Sequence, residues 1–187
     1  MQETKTVYFD GTGTAFTEAT FSLARERAQA LGIRHILVAS TDGDTGAKAA
    51  AYFMGFPVLV VSHSVGFRRP NHQELTDENR KAIVDAGAQV LTCLHPFGGL
   101  GRAIRLKYAT FSIEEIIPNV LRLFGQGMKV AVEISMMAAD AGLIPAGEEV
   151  IAIAGTDHGA DTAAVISPVN TQRFFDLRVR EIICKPR

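Results

Sequence analysis

The chain has 187 residues, enough for one full-sized core but short of the about 250 residues that a (β/α)₈ barrel takes. Hydrophobic residues make up 47% and charged residues 21%, so a sizeable core forms and a disordered chain is excluded. Nineteen Lys and Arg against twenty Asp and Glu leave a net charge of −1, which supplies no general field for nucleic acid or an anionic membrane, and any anion must be captured locally.

Apolar runs alternate with helical patterns from the start, the mark of βαβ units around a mostly parallel sheet. Val7 to Phe9 predicts a first strand. A helix follows, with Thr14 or Thr17 as N-cap, Phe21, Ala24, Ala28 and Leu31 on its apolar side, and Gly32 as its stop. His35 to Ala39 is a continuous apolar strand, hence buried on both faces. The loop Ser40 to Thr45 leads into an alanine-rich helix with Asp44 or Thr45 as N-cap, ending near Gly55. Pro57 to Val61 is the next strand, and a long loop from His63 to Leu75 precedes a helix capped by Thr76 and stopped by Gly87. Gln89 to Thr92 is a fourth strand. Cys93 to Gly101, with three glycines and a proline, reads as loop.

Ser112 and Glu115 form a capping box that opens a helix up to Phe124, which Pro118 should kink. After Gly125-Gln126-Gly127, a nearly all-apolar helix runs from Met128 to Ala141 and stops at Gly142. Glu149 to Ala154, Ala163 to Ile166 and Leu177 to Ile183 complete the strands, with a glycine-bearing loop over residues 155–161. The whole chain, 1–187, reads as one domain. Cys93 and Cys184 stand too far apart in sequence for a disulfide framework or a zinc site. No apolar leader follows Met1 and no run is long enough to span a bilayer, so a cytoplasmic protein is expected.

Ligands of open α/β sheets bind where strands end in loops that lead to helix N-termini, and four such places hold suitable chemistry. Ser40, Thr41, Gly43, Asp44 and Thr45 join hydroxyls and a glycine to a helix start, either a phosphate cradle or a plain turn. Asp42 and Asp44 disfavour a polyanion and suit a single phosphate monoester with hydroxyls beside it. His63, Gly66 and Phe67 are a candidate wall, with Phe67 stacking on a flat ring and His63 donating a hydrogen bond; the other reading is a surface loop with a satisfied histidine. Arg68 and Arg69 read as solvated charges. Gln126 and Gly127 with Lys129 make a candidate anion pocket on the apolar helix, while Lys129 and Glu133, four residues apart, equally read as an ion pair. Gly155, Thr156, Gly159, Asp161 and Thr162 belong to a loop too polar and too long for a simple turn. No dinucleotide fingerprint, Walker A sequence, metal-ligand spacing or nucleophile elbow is present.

Several segments together carry a resemblance. Val38-Ala39-Ser40-Thr41 with Gly43 and Thr45, His63 with Gly66-Phe67, Phe124 to Val130 with Glu133, Met137 to Gly142, Gly155-Thr156 with Gly159 to Thr162, and Glu181 to Arg187 resemble the pyruvate kinase C-terminal (α/β) domain-like proteins that stand alone in archaea and bacteria. The resemblance implies an α/β fold, a three-layer α/β/α sandwich with a mostly parallel mixed sheet. It also implies a phosphate on the Ser40 to Thr45 loop and flavin mononucleotide (FMN) as a cofactor. Asp42, Asp44 and the Asp157-His158 pair depart from the expected pattern.

Three functions follow as expectations. The first is a small-ligand protein binding FMN or a related phosphorylated compound, with no pyruvate kinase activity because the chain has no room for that enzyme's barrel. The second is an enzyme acting on a phosphorylated metabolite without flavin, using Lys129, Glu133 or His63 for proton transfer. The third is a regulatory module forming a homo-oligomer through the apolar helix and the strand Leu177 to Ile183.

Overall fold

The β-branched runs of the sequence form strands because each has a covered face on either side. In the computed structural model, which describes Met1 and residues 3–187, seven strands make one sheet: β1 (Val7–Phe9), β2 (Ile36–Ala39), β3 (Val58–Ser62), β4 (Gln89–Thr92), β5 (Val150–Ala154), β6 (Thr162–Ser167) and β7 (Arg178–Pro186). Their order is β1-β7-β6-β5-β2-β3-β4. β6 runs antiparallel to both neighbours, and every other pairing is parallel.

Among the described residues there are six α-helices: α1 (Thr17–Leu31), α2 (Asp44–Tyr52), α3 (Asp77–Asp85), α4 (Gly99–Tyr108), α5 (Ile116–Leu121) and α6 (Gln126–Asp140). Alternate strand residues Ile36, Val38, Val58, Val60, Ile151 and Ile153 pack with Phe21, Ala24, Ala28, Ala49, Phe53 and Ile83 of the first three helices or their ends. The other alternation, Leu37, Leu59, Val61, Val150 and Ala152, packs with Met128, Ala131, Val132 and Met136 of α6. This is the three-layer α/β/α sandwich, two cores back to back through one sheet. No described helix is long and apolar enough to cross a membrane.

Several local expectations change. Neither Thr14 nor Thr17 caps α1; Thr14 opens a 3₁₀ turn, Thr14–Phe16, and Phe16 is the N-cap. Thr17 Oγ1 instead accepts the Ala160 N–H at 3.0 Å, and Thr20 Oγ1 donates to Ala160 O at 3.2 Å, so both threonines tie α1 to the loop after β5. The N-cap of α2 is Gly43 rather than Asp44 or Thr45. The supposed loop at residues 93–101 ends in α4, which starts at Gly99. Pro118 kinks nothing, because the chain breaks into a 3₁₀ turn (Ile113–Glu115), α5 and a second 3₁₀ turn (Arg122–Phe124). That places Pro118 in the first turn of α5, where the missing donor costs no helical bond. A 3₁₀ segment, Thr171–Asp176, also precedes β7.

Of the surface expected to join copies of the chain, the helix is covered and the strand only in part. α6 is buried against the sheet; β7 pairs with β6 along Arg178–Cys184 but with β1 only over Cys184–Pro186, so the edge of β7 over Arg178–Glu181 is left uncovered by β1. Exposed apolar side chains collect instead on residues 100–124, among them Leu100, Leu106, Phe111, Ile113 and Leu123.

α2 lies close on the sheet at Gly46, where an added β-carbon would sit 2.6 Å from Val60 Cγ1 and 3.1 Å from Ile83 Cδ1. Alanine favours a helix by about 1 kcal/mol over glycine, but overpacking costs roughly 1–3 kcal/mol. Gly46→Ala is therefore expected to lower the urea unfolding midpoint; a raised midpoint would show that the helix shifts freely.

Candidate functional site

The order of the strands fixes where a site forms. From β2 the chain moves to β3 and β4 on one side, and from β5 it moves to β6 and β7 on the other, so the connections diverge between β2 and β5. Loops leaving the carboxyl ends of such a pair part and leave a crevice. A cavity of about 270 Å³ lies there, lined by Ser40, Thr41, Asp42 and Thr45 after β2, His63, Phe67 and Arg68 after β3, His95 after β4, and Gly155, Asp157, His158 and Gly159 after β5. Arg122, Gln126, Lys129 and Glu133 close it from the α6 side.

The loop after β2 is held by its own side chains. Ser40 Oγ accepts the Gly46 N–H and Asp42 Oδ1 the Asp44 N–H, both at 3.0 Å. Asp42 O accepts from Thr76 N and Asn79 Nδ2. Gly43 has φ +98°, and a β-carbon there would lie 2.4 Å from Leu75 Cδ1; the glycine shapes the turn and lines no cavity wall. Asp44 also stands outside the cavity, paired with Lys48 at 2.8 Å.

The wall after β3 is already engaged. His63 Nδ1 lies 2.7 Å from Glu74 Oε2, and Arg68 Nε 3.0 Å from Glu74 Oε1. Burial lowers the His63 pKa from its ordinary 6.5 against the opposing pull of Glu74, which disfavours the protonated ring. Phe67 stacks on His63 with centroids 4.0 Å apart, and the Arg102 guanidinium sits 4.6 Å from the Phe67 centroid. Arg68 is thus part of the site and not merely solvated. Gly66 lies in the loop, outside this cavity.

Glu133 is 2% exposed. One oxygen meets Lys129 Nζ and, at 3.5 Å, His95 Nδ1; the other accepts the Phe97 N–H at 3.2 Å. Burial is the largest influence on its pKa and pushes it up, but the contacts with His95 and Lys129 outweigh it and hold the carboxyl below its ordinary 4.5.

In the last loop, Asp161 faces the protein. Its Oδ2 accepts from Gly13 N and Thr156 N, both at 3.0 Å, and its Oδ1 from the Thr162 hydroxyl at 2.8 Å. A β-carbon on Gly127 would lie 2.2 Å from Thr162 Oγ1. Asp161, Thr162, Gly127 and Thr156 therefore build the frame behind the cavity. A second cavity of about 300 Å³ adjoins the first and shares Phe67, His95, Arg122, Lys129 and Glu133 with it.

His95 and Arg122 enter the site without having been expected there, whereas Asp157 and His158 come with the loop after β5 that was expected to contribute. The same rule about strand ends that selected the other loops applies after β4 and reaches His95. Arg122 carries no such signal, since it lies on a 3₁₀ turn.

The fold and crevice define a doubly wound α/β domain. More specifically, the chain belongs to the family of the pyruvate kinase alpha/beta domain, whose model matches residues 18–166. Among solved structures it is similar to a pyruvate kinase from Cryptosporidium parvum, at 15% identity and a TM-score of 0.43, covering 85% of this chain and 24% of that one. It is also similar to a mutant O-ureido-L-serine synthase with O-ureido-L-serine bound, at 20% identity and a TM-score of 0.34, covering 70% of this chain and 40% of that one. The chain thus spans about a quarter of the pyruvate kinase's length, and its 187 residues form the α/β domain and not a full pyruvate kinase.

Removing one partner from a buried ion pair costs roughly 3–5 kcal/mol, so Glu133→Gln is expected to destabilise the fold strongly at neutral pH. Because the folded-state pKa of Glu133 is depressed, its contribution is complete above the ordinary 4.5 and is lost as pH falls through the lower folded value. Urea titrations over the acid range should show the unaltered chain losing stability toward the variant's; curves that stay parallel would remove the assignment.

Proposed function

We propose that this chain binds a phosphorylated small molecule, FMN or a chemical relative, in the crevice between β2 and β5. The observation that carries the reading is the meeting of two helix N-termini on one cavity. In α2 the first helical bond is Ala47 N–H to Gly43 O; Asp42 and Ser40 take the Asp44 and Gly46 donors, which leaves the Thr45 N–H over. In α6 the first bond is Lys129 N–H to Gly125 O, so the donors of Gln126 and Gly127 precede it. Free N–H groups and the positive ends of two helix dipoles favour an anion, each end by about 0.3–1 kcal/mol.

The charged lining refines the ligand. Arg68, Arg122 and Lys129 oppose Asp42, Asp157 and Glu133, and Arg68 and Lys129 are spent on Glu74 and Glu133. Arg122 hydrogen-bonds only neutral side chains, those of Gln126 and Asn119, and is the guanidinium available to a phosphate. Asp42 and Asp157 suit the hydroxyls of a sugar or polyol. The phosphate and hydroxylated chain of FMN match these groups. Its ring finds Phe67 flanked by His63 and Arg102, so stacking there needs Phe67 to move.

A second reading, an enzyme acting on a phosphorylated metabolite without flavin, is favoured by the buried Glu133, His95 and Lys129 cluster, an arrangement suited to proton transfer.

Calorimetric titration with FMN and with ribose 5-phosphate tests the reading. Both are expected to bind, and Arg122→Met to weaken both about tenfold, the value of one charge-assisted hydrogen bond. Failure of both ligands to bind below about 1 mM would overturn it.

A further inference from the structure

The two cavities are separated by few side chains, and these differ in how they are held. Lys129 and Glu133 stand on α6 and bond to each other, and Glu133 also accepts the Phe97 N–H. His95 Nδ1 faces Glu133. Phe67 alone is held by ring contacts: His63 at 4.0 Å, His95 at 5.0 Å and the Arg102 guanidinium at 4.6 Å. It follows Gly66 in the long loop between β3 and α3, and it borders both cavities.

Beside it lies an atom that lacks a partner. His95 is 9% exposed, and its Nε2 is buried with no hydrogen bond. The aromatic neighbours of the His95 ring are Phe67 and, at 5.3 Å, His63. A carboxylate next to Nδ1 favours the proton on that nitrogen, which leaves Nε2 as an acceptor. A buried acceptor without a donor is a costly state that a ligand relieves.

We propose that Phe67 is a displaceable partition between the two cavities, and that the His95 Nε2 beneath it is a binding atom for an N–H or O–H donor on the ligand. The inference rests on the phosphate-ligand reading and extends it. The phosphate stays at the starts of α2 and α6, while a flat ring pushes Phe67 aside, reaches toward the second cavity and donates to His95. Glu133 acts on the ligand only through His95, as a positioning residue that sets the tautomer.

Two probes separate this inference from the reading beneath it. Ribose 5-phosphate occupies the first cavity only, whereas FMN carries a flat ring with an N–H donor. Phe67→Ala is expected to tighten FMN about fivefold to tenfold and His95→Phe to weaken it about tenfold, with ribose 5-phosphate unchanged within about twofold. Phe67→Leu, which keeps an apolar side chain without a ring, should move FMN in the same direction by less, and thermal unfolding of each variant checks its fold. FMN affinity unmoved by Phe67→Ala, equal changes for both probes, or FMN failing to bind any variant while ribose 5-phosphate binds, overturns the partition and leaves the phosphate reading standing. Failure of both probes with the unaltered chain overturns both.

Discussion

The charge of Glu133 is the constraint from which the site takes its shape. A carboxylate at 2% exposure on an apolar helix costs several kcal/mol unless paired and hydrogen-bonded. Its partners come from two directions: Lys129 one turn earlier on α6, and His95 and Phe97 from the segment after β4. Meeting that need draws the segment after β4 down onto α6. His95 is thereby placed under Phe67, and the space at the strand ends is divided in two.

In the proposed reading, recognition in this crevice is a matter of direction more than of field. The ionised groups around it are balanced in sign, and Arg68 and Lys129 are paired with Glu74 and Glu133, so in that reading attraction rests on backbone donors at two helix starts and on Arg122. Such donors select the shape and placement of an anion. Paired ions within a partly enclosed site also screen weakly with salt, which sets this crevice apart from the exposed basic surfaces that bind polyanions.

The central strands were legible because burial on both faces leaves unbroken apolar runs, as in Val58 to Val61. The Thr76 N-cap of α3 and the glycine after α1 were legible because their chemistry is local. α4 was not, since its first turn carries Gly99 and Gly101, which disfavour a helix. It forms beside the next segment, with Gly101 lying so close to Ser112 that a β-carbon would come within 2.5 Å of its Oγ, and with Arg105 bound to Glu115 at 2.7 Å. In the candidate site, the positions of Ser40, Thr45, Lys129 and Glu133 around one crevice followed from strand ends and helix starts. The inward turn of Asp161 did not, because its donors Gly13 and Thr156 come from loops that are neighbours only in the folded chain. His95 stood within reach of the strand-end rule after β4, but its pairing with Glu133 shows only in the folded chain.

One pairing bears on how the molecule comes together. β1 has a single neighbour, β7, and the Thr6 hydroxyl bonds to Ile182 O across 176 residues of sequence. During synthesis β1 therefore has no partner in the sheet until β7 has been made, and its edge stays open in the meantime. Closing so long a loop costs entropy that only the completed sheet returns. The β2, β3 and β5 core with α6 forms from contacts nearer in sequence, so the crevice lies in the part of the fold that does not wait for β1.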